Sequence, residues 1–475
     1  MPLDAAEYLT GLGFLAGTWG AIGAAALLVV RRRLPGMRGA PRILALGLLT
    51  TAGIVAAHLL PGLVGLLSRA SALVSALLLL ALASRLPATA EPAPERAGRT
   101  PPPSGAISWI LAGAGVLVAA SGYVAAARVG SVTPSIDIDT LTFHLPNVAR
   151  WMQTGSFWQV DNFSPLLANG NYPQTGDVVQ LAVVQPFQSD AFARLVNLPF
   201  TLLAGLAVYA IAVEAGAPRA TGALLGAAFA SLPALVFATG EGSKTDPVML
   251  AAFGTGLLFL VRHFRTGRRE DLLLAALGLG LAFGTKWYGV TSVAALLAVW
   301  AAAWIWARRP LGALWRNLLL IAAVIAPAGG FWFVRNLVES DNPVFPTKVA
   351  LFGRTLFDAP HDFIRECGGY TILGYLDSPD VWRHFILPDF RDNYGLPGLL
   401  LTAGVVLAAL LVVRGHRSGG VRSRSRVAPP LLALAAIVLA VVYAATPYSA
   451  FGLENEPELV GANTRWLLPL SLIHI

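Results

Sequence analysis

The chain is poor in charge and nearly devoid of cysteine and lysine. Only 13% of its 475 residues are charged, against 56% hydrophobic. A soluble protein of this length needs far more polar surface to cover its core, so a soluble globular fold is excluded. The single cysteine, Cys367, rules out an intrachain disulfide and leaves the compartment unreadable from cross-links. The short alternating segments of a membrane-spanning β-barrel are missing. So are the phosphate-binding GxxxxGK[ST] and the hydrolytic HExxH and GxSxG signatures. Histidines such as His58, His263 and His416 lack metal-ligand spacing. No cleavable signal peptide is expected, because Asp4 and Glu7 precede the first apolar run where a signal would carry positive charge.

What the chain does have is repeated apolar runs near the length that crosses a bilayer, and a mean hydropathy of +0.65. These predict an all-α polytopic membrane protein. Its 48 glycines and 32 prolines fit, since both are commoner in membrane helices than in soluble ones. Spans are expected at about 10–30, 43–66, 70–84, 107–127, 191–213, 219–239, 247–262 and 312–334, then at about 396–413 and 429–446, with a last one starting near 466. The run 271–307 is too long for one helix, and Gly284-Thr285-Lys286-Trp287 interrupts it, so it is expected as two short spans. The total is about 12–13 membrane helices. Segment 85–106, with Pro101, Pro102 and Pro103, reads as a flexible linker. Two large polar loops, 128–190 and 335–395, stand apart from the spans. The last span is too short to cross the hydrocarbon before Ile475, so a truncated C-terminus is expected, with Ser471–Ile475 foreign to the native chain.

The net charge of +8 does not point to nucleic acid. Arginines cluster in short runs between apolar segments: Arg31–Arg33, Arg38 and Arg42; Arg262, Arg265, Arg268 and Arg269; Arg414, Arg417, Arg422, Arg424 and Arg426. That is the positive-inside pattern of cytoplasmic loops. With those loops inside, alternate loops fall outside and hold Asp137, Asp139, Asp161, Asp177, Glu241, Asp246, Asp341, Asp362, Asp389 and Glu454. The only three lysines, Lys244, Lys286 and Lys348, fall on that same outer side. A multi-pass protein of the cell membrane with an extracytoplasmic site is the expected arrangement.

The stretch from Asp137 to Gln174 organises the rest. Asp137 and Asp139 stand just beyond the fourth span, and Leu141, Leu145, Val148, Trp151 and Met152 follow at helical spacing. They predict an amphipathic helix lying on the outer membrane surface, with His144, Asn147 and Arg150 on its other faces. A carboxylate at that boundary can take a proton from an attacking hydroxyl, or the pair can simply cap the helix. Lys244 and Asp246, in Glu-Gly-Ser-Lys-Thr-Asp-Pro, form a second outer cluster, although Asp246 before Pro247 also reads as a helix start. Lys286, in the break between two short spans, is costly at that depth and calls for a partner. A headgroup-level phosphate would serve, as would snorkelling to ordinary lipid. Arg335, at the outer end of a span, runs against the positive-inside trend; a role with an anion or an interfacial cap both fit. Arg465, at the start of the last span, invites the same two readings.

Taken together, these pieces resemble the GT-C superfamily of membrane glycosyltransferases, and among them the bacterial polyprenyl-phosphate-sugar-dependent, protein-mannosyltransferase-like group. The residues that carry the resemblance are Asp139-Thr-Leu-Thr-Phe-His-Leu-Pro, Tyr172-Pro173, Lys244-Thr-Asp246, Gly284-Thr-Lys286-Trp, Arg335-Asn336 with Asn342-Pro-Val-Phe-Pro346, and Asn463-Thr-Arg465-Trp-Leu-Leu-Pro469. It covers about 107–475 and leaves 1–106 as a three-span extension and linker; the resembled family places its catalytic loop after the first span, not the fourth. The resemblance implies a catalytic aspartate at Asp139 with Asp137 beside it and Asp246 as second acid. It implies donor-phosphate contacts from Lys286, Arg335 and Lys244, and substrate contacts from His144, Tyr172, Asn342 and Arg465. It also implies the reaction: a sugar leaves a polyprenyl phosphate, with inversion, as an acceptor hydroxyl attacks. The acceptor class (glycan, lipid or protein) stays open, and so does the metal, since first-loop carboxylates could hold a divalent cation. The contrasting reading is a transporter, flippase or polysaccharide polymerase. A transporter would carry ionisable residues in mid-span and an internal repeat; here nearly all acids lie in loops and no convincing repeat is found.

Overall fold

Helix follows helix along almost the whole described chain. The computed structural model describes residues 4–89, 101–133, 135, 137–163, 168–240, 244–361, 363–398, 428–458 and 468–469. Among these residues seven helices are long and apolar enough to cross a membrane, and one bent pair would make an eighth. The protein is thus an all-α polytopic membrane protein; among the described residues strands occur only in two two-stranded hairpins. Most of the spans expected at about 396–413 and from 466 lie outside the described residues, together with Arg414–Arg426, half of the linker, Glu241, Asp362, Arg465 and Ser471–Ile475.

Local chemistry sets the helix ends. α1 (Ala5–Arg33) starts where the Asp4 side chain accepts the Glu7 amide at 2.7 Å and finishes in Arg31–Arg33, with acid and base placed to complement the helix dipole. α2 (Gly39–Leu63) returns across the bundle. α3 (Arg69–Ser84) opens on a reciprocal cap between Ser68 and Ser71. Then follow α4 (Ala106–Val132), α5 (Leu145–Thr154), α6 (Thr175–Phe187), α7 (Asn197–Ala215), α8 (Arg219–Ala230), α9 (Pro233–Gly240), α10 (Asp246–Thr266), α11 (Arg269–Phe283), α12 (Trp287–Trp306), α13 (Leu311–Gly329) and α14 (Phe331–Ser340). The span expected at about 219–239 is the α8–α9 pair, bent by 61° just ahead of Pro233, whose ring disfavours helical backbone at the preceding residue. The run 271–307 divides as expected, into α11 and α12 with Gly284, Thr285 and Lys286 between them.

α10 is the centre of the bundle, buried from Asp246 to Phe264 and flanked chiefly by α7 and α11. Glycine makes the α10–α11 approach possible: a Cβ at Gly278 would lie 2.7 Å from the Ala252 carbonyl oxygen. Gly284 and Gly329 bring α11 and α13 together in the same way, backbone against backbone.

Two regions depart from expectation. The first large polar loop contains a complete helix, α6, every residue of which is buried. It packs on α1 and α2, where the Trp19 indole donates to the Ala182 carbonyl at 3.3 Å. Arg69 donates to the Pro186 carbonyl at 3.3 Å. Nearby, the Leu67 amide donates to Gly155 at 2.9 Å and the Trp158 indole to Leu63 at 2.8 Å. The first three helices therefore grip the polar loop.

The second departure is rotational. The helix after Asp139 exists, but its first turn, Thr140–His144, is π-helical, and the wider turn shifts the phase of every later residue in the helix. Leu141 is left 53% exposed, whereas His144 and Asn147 are buried alongside Val148 and Trp151. The buried face meets Phe157, Val178, Leu181 and Trp332 of the protein itself rather than lipid.

Candidate functional site

One end of the bundle gathers Asp137, Asp139, Asp177 and Asp246 with two of the three lysines. Asp137 does two jobs there. Its Oδ2 caps the following helical segment, accepting the Thr140 amide at 2.9 Å and the Thr140 hydroxyl at 2.7 Å. Its Oδ1 pairs with Lys244 Nζ at 2.8 Å. The same ammonium stands 4.0 Å from Asp139 Oδ2 and 5.0 Å from the Phe237 ring. The Asp137 side chain is 3% exposed and the Asp139 side chain 20%. So Asp137 is locked in place, and Asp139 is the more exposed of the two carboxylates.

Asp246, fully buried at the start of α10, accepts from Lys286 Nζ at 2.8 Å and from the Tyr288 hydroxyl at 2.6 Å. The break after α11 makes this possible. Lys286 sits in extended backbone as the residue before α12, and its ammonium reaches back to α10. The cost of a lysine at this depth is met by an internal carboxylate. The two acid–lysine groups are drawn together by the start of α6. Gly176 is pressed between Thr245 and Thr285 with no room for a Cβ, and the Thr175 amide donates to the Gly284 carbonyl at 2.8 Å.

Arg335 points into this assembly from α14. It is 1% exposed. Nη1 donates to Gln174 Oε1 at 2.9 Å, and Nη2 donates to the Gly170 carbonyl at 2.6 Å and the Tyr172 carbonyl at 3.5 Å. Its guanidinium lies 4.9 Å from the centre of the Trp332 ring. Burial pushes its pKa down to about 9, which leaves it charged at neutral pH. Asn336 donates to the Asn171 carbonyl at 2.8 Å, so α14 holds the 169–174 loop at several points. Tyr172 meets Phe143 edge-on at 5.9 Å. His144 is buried and its Nδ1 lies 2.5 Å from Asp177 Oδ1. Asn342 is also buried, donating to the Thr347 and Asp358 carbonyls at 3.0 and 2.9 Å. It braces its own loop.

The structure thus joins Asp137, Asp139 and Lys244 in one group, Asp246 and Lys286 in a second, and Arg335 with the 169–174 loop in a third. Asn342 stands in none of these contacts. Three members of the site escaped sequence reading: Tyr288, Asp177 and Gln174 as the arginine's partner. Tyr288 lies only two residues from Lys286, which was the available signal. Asp177 was legible only as one more outer acid.

Among the described residues no group of three or more His, Cys, Asp or Glu side chains could hold a metal ion. The first-loop carboxylates fit a divalent cation poorly, because the Lys244 ammonium stands between them. A second feature marks the site. Among the described residues, several of its buried polar atoms have no hydrogen-bond partner: His144 Nε2, Asn147 Nδ2, Asn169 Oδ1, Gln174 Nε2, Asp177 Oδ2 and Arg335 Nε. Buried polar groups are ordinarily satisfied, so a concentration of exceptions in one segment is unusual.

Comparison with known proteins places a family on this geometry. Residues 166–335 match the model of the dolichyl-phosphate-mannose-protein mannosyltransferase family. The match runs from residue 166 in the first polar loop through to Arg335 and takes in Tyr172, Lys244, Asp246 and Lys286. No curated protein and no solved structure matches the chain.

Proposed function

We propose, from the glycosyltransferase domain over residues 166–335, that the chain moves a sugar from a polyprenyl-phosphate donor to an acceptor hydroxyl at the extracytoplasmic face of the cell membrane, with inversion at the anomeric carbon. The observation that carries this reading is the meeting of Asp139 with Lys244 and of Asp246 with Lys286, with Gly176 packed against Thr245 and Thr285, the neighbours of these lysines in the chain. The arginines at the far end of α10, Arg262 to Arg269, support the orientation. Residues 107–475 form the transfer module in this reading, and residues 1–106 its extension.

Transfer needs a base on the acceptor side and positive charge where the donor's phosphate departs. Asp139 takes the acceptor hydroxyl's proton. The oxygen forms the new bond to the anomeric carbon as the old carbon–oxygen bond to phosphate breaks. The leaving phosphate gains negative charge, and the ammonium groups of Lys244 and Lys286 receive it. Asp137 holds Lys244, and Asp246 with Tyr288 holds Lys286, so both cations are positioned before substrate arrives. Arg335 serves the donor through the loop it pins at Gly170 and Tyr172. His144, Tyr172, Asn342 and Arg465 complete the proposed substrate contacts. The acceptor is a glycan, lipid or protein hydroxyl, and no step is routed through a divalent cation.

The test is transfer of radiolabelled sugar from a panel of polyprenyl-phosphate sugars to endogenous acceptors, in membranes carrying the wild-type chain or Asp139→Asn. Wild-type transfer that falls by about 100-fold or more in a stably folded Asp139→Asn protein is expected. Transfer that survives the substitution moves the base elsewhere, with Asp137 next; no transfer from any donor argues against the reaction class.

A further inference from the structure

Asp177 has no part in the chemistry above, yet it is a carboxylate 1% exposed inside a membrane protein. Charge is seldom kept at such a place without a use. It stands in the first turn of α6, one residue past the tight Gly176 contact. Its Oδ1 pairs with His144 Nδ1, and Arg335 lies within its electrostatic reach. His144 is the last residue of the π turn that begins one residue after Asp139. The imidazole is clamped on a second side by Phe143, whose ring centre is 4.0 Å away. Nδ1 is therefore committed to Asp177, while His144 Nε2 and Asp177 Oδ2 are both buried without partners among the described residues.

We propose that Asp177 is a positioning residue for the sugar transfer, acting through His144. The proposal rests on the reading of the chain as a glycosyltransferase. A carboxylate on Nδ1 fixes the ring's orientation and selects the tautomer in which Nδ1 carries the proton, leaving Nε2 as an acceptor. The same bond ties the π turn, and with it Asp139, to the buried helix α6. A donor hydroxyl or an acceptor hydroxyl meeting Nε2 would thus meet a lone pair held in one place. The two residues are 33 apart in sequence, so their bond also sets the loop's closure.

The experiment uses the full chain in lipid nanodiscs with polyprenyl-phosphate mannose as first donor, in wild type, Asp177→Asn, His144→Asn and the double variant. Asp177→Asn keeps an oxygen that can accept the Nδ1 proton but removes the charge. It should lower kcat about 10- to 100-fold with KM within about twofold. The double variant should be no worse than His144→Asn alone, since one residue acts through the other. Nitrogen spectra of 15N-histidine-labelled protein should show the His144 signal changed by Asp177→Asn while the other histidines stay put. A kcat unchanged in Asp177→Asn, additive losses in the double variant, or an unaltered His144 signal would each overturn the proposal. Loss of kcat matched by loss of folded protein in every variant also overturns it, as a purely structural pair. If the wild type transfers nothing from any polyprenyl-phosphate sugar, the glycosyltransferase reading fails instead, and the nitrogen spectra alone decide whether Asp177 sets the imidazole.

Discussion

The two ends of α10 carry buried charge in opposite styles. At the Arg262 end the buried charges are answered. Arg262 reaches Glu214 and Asp271, each at 3.3 Å. Arg265 takes the other Glu214 oxygen at 2.7 Å, and Thr266 donates to the other Asp271 oxygen at 3.0 Å. His263 bonds the Arg268 carbonyl through Nδ1 and Asn317 through Nε2. Two cations face two anions, and among the described residues none of these side chains has a buried orphan atom. At the Asp246 end the ion pairs are just as short, but six polar atoms nearby are buried and unpaired among the described residues. A closed network is a clamp, which holds helices in register and asks nothing further. An open one leaves polar atoms that protein partners alone do not satisfy, and the proposed site stands at that end.

That contrast can be broken experimentally. Its largest expected effects are at the two buried pairs. Lys286→Met strands Asp246, which has no solvent exposure, and should cost about 3–5 kcal/mol in detergent-solubilised thermal or denaturant unfolding, with transfer lost as well. Arg262→Met should destabilise comparably. Transfer per folded molecule, however, should stay within about twofold of wild type, because that end lies outside the proposed site. Equal loss of specific activity in both variants would erase the distinction between clamp and site. Next is Gly284→Ala, whose Cβ would press on Gly329 and Thr175. Overpacking of this kind costs about 1–3 kcal/mol, and a normal melting temperature would show that α11 and α13 part easily. Tyr288→Phe removes one donor from Asp246 and should cost about 1 kcal/mol, read as a small drop in melting temperature with Lys286 still paired. Smallest is Lys348→Ala. Its bond to Asp358 is solvent-exposed on both sides, so stability and transfer should both be unchanged within error.

Much of the scaffold could be read from hydropathy because membrane helices must satisfy their backbones internally and so announce themselves by length. The break at Gly284–Lys286 was legible for the same reason: a 37-residue apolar run cannot be one crossing, and a lysine inside it marks where it turns. Asp137, Asp139, Lys244, Asp246 and Lys286 were legible too, since charge is rare here and each charged residue outside the arginine runs stands out. Their pairing was not. Which lysine meets which acid depends on how α6 wedges between residues 245 and 285, and nothing in a polar, glycine-containing segment signals a fully buried helix. The π turn was equally hidden, because one extra residue in a turn leaves composition untouched and rotates everything after it. Arg335 shows a third limit. A place at a helix end suggests exposure, whereas Gly170 and Gln174, far away in sequence, turn this arginine inward.

The grip of α1–α3 on α6 has a consequence for how the chain can be divided. Trp19, Arg69, Leu63 and Leu67, all ahead of the linker, reach the 155–187 segment. Two polypeptides, one ending after residue 89 and one starting at 101, therefore carry matching halves of an interlocking joint. Co-expressed, they should find each other in the membrane and co-purify. The second expressed alone would leave the Ala182–Phe187 stretch of α6 without its cover from α1 and α3.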